Sequence, residues 1–72
     1  MNIKEKIGIR LRELRTEKGL SQEKFSFDCD LDRTYITSIE QGKRNVSIVN
    51  IEKIANALNM SVSDFFSSNL FQ

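Results

Sequence analysis

Between Ser21 and Gly42 the chain carries two short amphipathic runs separated by the break Asp30-Leu31-Asp32. Neither run is long enough to hold as an isolated helix in water, because fewer than about 12 residues do not offset the cost of nucleation. Both must therefore bury an apolar face against a common core, joined by a tight turn. Ser21 is a strong N-cap for the first run, helix-forming Gln22 and Glu23 follow it, and Phe25 and Cys29 stand four apart on one face. Asp32 can cap the second run, with Ile36 and Ile39 on its apolar face and Tyr35 beside them. Gly42 ends it, since glycine enters the left-handed C′ conformation at no steric cost.

The opposite face of the second run is a polar stripe of Arg33, Thr34, Thr37, Ser38 and Gln41, at spacings of three and four. It offers a guanidinium, three hydroxyls and a carboxamide, with no acidic group among them. An α-helix fits the major groove of B-DNA, where such groups can hydrogen-bond base edges. A plain solvated helix face has the same composition, so the stripe alone leaves both readings open.

The rest of the chain reads as helical scaffold. Its 72 residues suit one domain spanning 1–72 with a single small core, and the absence of proline fits a compact all-α protein. A first helix is expected over about 3–18, with Ile3, Ile7, Leu11 and Leu14 as its buried stripe and Gly19 as its stop. Its charges other than Arg15 read for the most part as a salt-laced solvated surface. Ser47 caps a fourth helix with Ile48, Ile51, Ile54, Ala55 and Leu58 inward and Asn59 as its stop. Ser61 to Asp64 has the form of a capping box, opening a last helix through Phe65 and Phe66 that can extend to about residue 70.

Charge and composition narrow the function classes. The net charge is only +1, but residues 1 to 24 hold seven Lys/Arg against four Glu, while residues 25 to 72 hold four against six acidic residues. Phosphate contact depends on such local excess rather than on net charge. No apolar run approaches the roughly 18 residues of a membrane span, and the N-terminus has no signal-peptide pattern. A lone cysteine builds no disulfide framework, so a reducing cytoplasm is the expected setting. Without histidine the commonest general base and metal ligand is missing, and Cys29 shares its inward face with Phe25 as a small core residue would. No enzyme activity, metal, cofactor or small-molecule ligand is expected.

The stretch SQEKFSFDCDLDRTYITSIEQGKRN resembles the helix-turn-helix of the Cro/phage-repressor (Xre-type) family, and the likeness extends from the Arg-Glu-Leu-Arg run of the first helix to Phe65-Phe66. Within it, Asp32-Arg33-Thr34-Tyr35-Ile36 and Ile39-Glu40-Gln41-Gly42-Lys43-Arg44-Asn45 look most like controller proteins of restriction–modification systems. The resemblance implies a five-helix lambda-repressor-like DNA-binding domain whose motif occupies about 21–42. It implies base contacts by Arg33, Thr34, Thr37 and Ser38. It assigns backbone contacts to Gln22, Tyr35, Lys43, Arg44 and Asn45, and a buried ion pair to Arg15 and Glu40.

Three positions depart from the family pattern. Asp30 stands where the turn usually has glycine, Ser26 replaces a small alanine, and Phe27 puts a ring at a polar position, either exposed or covering a neighbour. Asp32 reads as a structural cap. The implied function is a transcription regulator acting as a homodimer on a palindromic operator, with half-sites about 34 Å apart. Val49, Phe66, Leu70 and Phe71 are the candidates for pairing, and RNA polymerase is a further candidate partner. Two alternatives stay open: an antitoxin that binds both DNA and a toxin, and an interaction module that has lost DNA binding.

Overall fold

The computed structural model describes residues 1–72 as helices α1 (Ile3–Glu17), α2 (Gln22–Cys29), α3 (Arg33–Glu40), α4 (Ile48–Ala57) and α5 (Val62–Phe65), closed by a 3₁₀ turn at Asn69–Phe71. Every start is capped by a side chain with extended backbone. Asn2 and Glu5 form a reciprocal capping box on α1, each side chain accepting the other's backbone N–H at 3.0 Å. Ser21, Asp32, Ser47 and Ser61 each accept an amide proton of the following first turn. The stops are left-handed residues: Gly19 at φ 70°, Asp30 at 57°, Gly42 at 74° and Asn59 at 58°. Asp30 thus makes the turn that glycine would make more easily, which aspartate tolerates better than most side chains.

The core draws on all five helices. Leu11 from α1, Phe25 from α2, Ile36 and Ile39 from α3, Ile54 and Ala55 from α4 and Phe65 from α5 are fully buried. Each large apolar side chain so removed from water stabilises the fold by about 1.5–3 kcal/mol before entropy is counted. The α1 helix lies directly on α3, and Gly8 makes the approach possible. A Cβ there would run into the carbonyl oxygen of Ile39 and come within 3.0 Å of that of Glu40. Gly42 serves a second close approach, where a Cβ would stand 3.1 Å from the Cα of Glu5.

Four expectations change. Ile3 is not part of the α1 stripe: at 55% exposure it lies on the first turn, beyond the reach of the core. Ile48 is 67% exposed rather than inward, because it opens α4 one turn ahead of the first buried position, Ile51. The last helix does not run to residue 70. It ends after one turn, and Ser68 caps a separate 3₁₀ turn by accepting the Leu70 N–H. The break allows Phe71 to fold back onto Phe66, ring centroids 4.9 Å apart at 70°, whereas residues five apart on one α-helix would diverge by roughly 140°. Arg10 is not a solvated charge. It is half-buried, and its Nε and Nη2 donate to the carbonyls of Phe65 at 2.7 Å and Asp64 at 2.9 Å, tying α5 to α1.

Candidate nucleic-acid interface

The buried Ile36 and Ile39 turn the other side of α3 outward. Arg33 and Thr34 at its start are exposed, Thr37 and Ser38 one turn on are half-buried, and Gln41 at its end is exposed. The four residues expected at base edges therefore share one outward face. The loop after α3 adds Lys43, Arg44 and Asn45, all exposed. Tyr35 lies between helix and loop. Its ring carries the Arg44 guanidinium 4.5 Å from its centroid, a cation–π contact, and its hydroxyl accepts from Asn50 Nδ2 at 3.1 Å. The phenol proton stays available to a phosphate oxygen.

Behind this face lies a polar network that fixes how α3 sits. Arg15 Nε and Nη2 donate to the two carboxylate oxygens of Glu40 at 2.7 and 3.0 Å, and Nη1 donates to the Leu20 carbonyl at 2.6 Å. The side chains are only 9% and 3% exposed, so the pair is effectively desolvated. The hydrogen bond to Glu40 raises the Arg15 pKa, outweighing the lowering by burial, and the charge attraction adds to it. Gln22 joins the network at both ends of its carboxamide. Nε2 donates to Glu40 Oε1 at 3.0 Å and Oε1 accepts from Thr37 at 2.9 Å. Gln22 thus has a structural part in addition to the phosphate contact expected of it, with one amide proton still free.

Cys29 takes no part in the site. It is buried, its Sγ lies 3.7 Å from the Ser26 carbonyl, and burial pushes its thiol pKa up, away from a reactive thiolate. Phe27 is an exposed ring, 81% accessible, with Lys24 Nζ 5.9 Å from its centroid. Of the pairing candidates, Val49 is 61% exposed, whereas Phe66, Leu70 and Phe71 are half-buried against their own chain.

The helix-turn-helix family profile matches residues 11–65. This chain belongs to the helix-turn-helix family. As a member it is a DNA-binding transcription regulator, and the family is not one of enzymes. Within the helix-turn-helix family it is similar to restriction–modification controller proteins. Control protein C.MunI of a Mycoplasma species is 55% identical over 67 residues, covering 92% of this chain and 90% of that one. The crystal structure of the controller protein C.AhdI from Aeromonas hydrophila matches with a TM-score of 0.84 at 54% identity, covering 88% of this chain and 96% of that chain. The controller C.Esp1396I, solved as a tetramer in complex with its natural 35 base-pair operator, matches with a TM-score of 0.85 at 36% identity, covering 92% of this chain and 87% of that chain.

Three residues outside the helix-turn-helix, on α1 and α4, hold the helices around it and were not singled out from sequence. Gly8 carries no motif, and its signal is only that a glycine sits within a strong helix. Asn50 is an ordinary polar residue of α4 until the fold brings it to Tyr35. Arg10 is one of several basic residues in α1, and nothing local separates it from Lys6 or Arg12.

Proposed function

We propose that this regulator is a restriction–modification controller protein that binds operator DNA as a homodimer in the cytoplasm, with α3 in the major groove. The observation that carries this reading is the outward face of α3. An exposed guanidinium and hydroxyl start a helix whose other face buries Ile36 and Ile39 completely, and exposed loop cations flank it. Arg33, Thr34, Thr37 and Ser38 read base edges. Gln22, Tyr35, Lys43, Arg44 and Asn45 hold phosphates and so set the register. Val49 on α4 and the apolar end formed by Phe66, Leu70 and Phe71 supply the pairing surface, and the exposed neighbour Ile48 extends it.

Regulation in such a protein follows concentration, because dimer formation and operator occupancy rise together. No helix is long and apolar enough to cross a membrane. The test is selection from a pool of random duplexes, followed by titration of the recovered site at several salt concentrations. Recovery of a two-fold symmetric sequence, bound with an affinity that falls steeply with salt, is the expected result. A folded chain that retains no duplex at low salt would overturn the reading in favour of an interaction module.

A further inference from the structure

The two threonines on the outward face of α3 have already committed their hydroxyl protons inside the protein. Thr34 Oγ1 donates to Asp32 Oδ1, the same oxygen that takes the Thr34 N–H at 2.8 Å. Those two bonds, the hydroxyl's foremost, hold the Asp32 carboxyl below its usual range, so it is ionised and the shared proton comes from threonine. Thr37 Oγ1 lies 2.9 Å from Gln22 Oε1 and 3.0 Å from the Arg33 carbonyl, and both of these oxygens can only accept. Which end of Gln22 faces Thr37 is decided further in. Its Nε2 donates to Glu40, whose carboxylate is locked by Arg15, and a reversed carboxamide would set oxygen against carboxylate. A hydroxyl has one proton and two lone pairs. With the proton committed to an acceptor of the protein itself, each threonine oxygen is left with lone pairs to offer beside its methyl group.

We propose that Thr34 and Thr37 are acceptor-only readers that select an exocyclic amine, adenine N6 or cytosine N4, on the major-groove edge they face. The proposal rests on their facing bases, as the proposed function has it. Guanine O6 and thymine O4 are acceptors, so a threonine oxygen brought against either finds no proton between them. Donor readout then falls to Arg33, whose guanidinium matches guanine. The sign of the specificity at the threonines is set from behind, by Asp32 for one and by Arg15, Glu40 and Gln22 for the other.

The test compares the chain with its Thr34→Val, Asp32→Asn and Asp32→Ala variants, each used to select sites from random duplexes. All are then titrated on the recovered site carrying each base at the affected position, and on duplexes with purine or 2-pyrimidinone there, which lack the amine. Thr34→Val is expected to lose a preference for adenine or cytosine, weakening the site about two- to tenfold per half-site. Removing the amine from the base should weaken the unaltered chain equally and the valine variant no further. Whether purine or 2-pyrimidinone has this effect identifies the base. Asp32→Asn keeps an acceptor at the cap and retains the preference, whereas Asp32→Ala frees the hydroxyl proton and lets guanine or thymine be tolerated. The valine variant leaves the cap intact, so the test survives if Asp32→Ala folds poorly. A lost preference for guanine or thymine in Thr34→Val would mean that Thr34 donates, overturning the proposal while keeping Thr34 a base reader. Unchanged preference at every position would mean that Thr34 reads no base, and both readings would fall.

Discussion

Arg15 and Glu40 share a desolvated, bidentate geometry, so neither charge tolerates loss of the other. Removing one partner leaves an uncompensated buried charge, at roughly 3–5 kcal/mol. That is a large part of the stability of a small domain. Arg15→Ala and Glu40→Ala should each lower the denaturation midpoint sharply, and the double variant should lose less than the sum. A double-mutant cycle in urea measures the coupling, and strictly additive losses would mean that the pair does not interact. Arg33 and Arg44 should divide by role. Arg33→Ala is expected to weaken the preferred site by about 1–3 kcal/mol per half-site and flatten the preference at one base pair. Arg44→Ala should lower affinity for all sequences alike and shallow the salt slope by about one unit. Titrations of both variants on matched and mismatched duplexes separate the two behaviours. An equal loss everywhere for Arg33→Ala would make it a phosphate contact.

At the level of elements, the contact of α1 with α3 depends on one missing side chain. Gly8→Ala gains about 1 kcal/mol of helix propensity but drives a methyl into the Ile39 and Glu40 carbonyls, an overpacking worth typically 1–3 kcal/mol. The obstacle is backbone rather than a flexible side-chain end, so the clash should win. Chemical denaturation of Gly8→Ala should show a net loss, and a gain would mean that α1 can shift freely on α3. The single turn of α5 has too few internal bonds to persist alone, and Arg10 binds its last carbonyls. Arg10→Ala should cost about 1–3 kcal/mol. Amide exchange should rise first at Phe65 to Phe71, while α2 and α3 stay protected. Uniform acceleration throughout the chain would mean that α5 does not open as a separate unit.

For the whole molecule the governing length is the helical repeat of DNA. The chain measures 30 × 23 × 22 Å, so two copies in contact can place their α3 helices about 34 Å apart, on successive turns of one face. Pairing through Val49 and the terminal aromatics should therefore control operator affinity through avidity. Phe66→Glu is expected to leave a monomer by sedimentation and to weaken operator binding. Because Phe66 also packs edge-to-face on Phe65 at 5.2 Å and on Phe71, Val49→Glu is the companion variant, altering an exposed residue at little cost to folding. An unchanged dimer in both variants would place the interface elsewhere.

Caps, stops and apolar spacing determined most of the architecture from sequence alone. Ser21, Asp32, Ser47, Ser61, Gly19, Gly42 and Asn59 act locally, through bonds and dihedral angles within a few residues of themselves, and each stands where local chemistry puts it. The polar face of α3 was legible for the same reason, because helical period alone separates it from Ile36 and Ile39. Periodicity failed at the first turns, where Ile3 and Ile48 satisfy the spacing yet lie beyond the edge of the core. Only the tertiary structure decided the long-range polar contacts: Arg10 on α5, Asn50 on Tyr35, and Gln22 between Glu40 and Thr37. Those partners are 15 to 55 residues apart in sequence, and a hydrogen bond across that distance exists only once apolar burial has packed the helices that carry it.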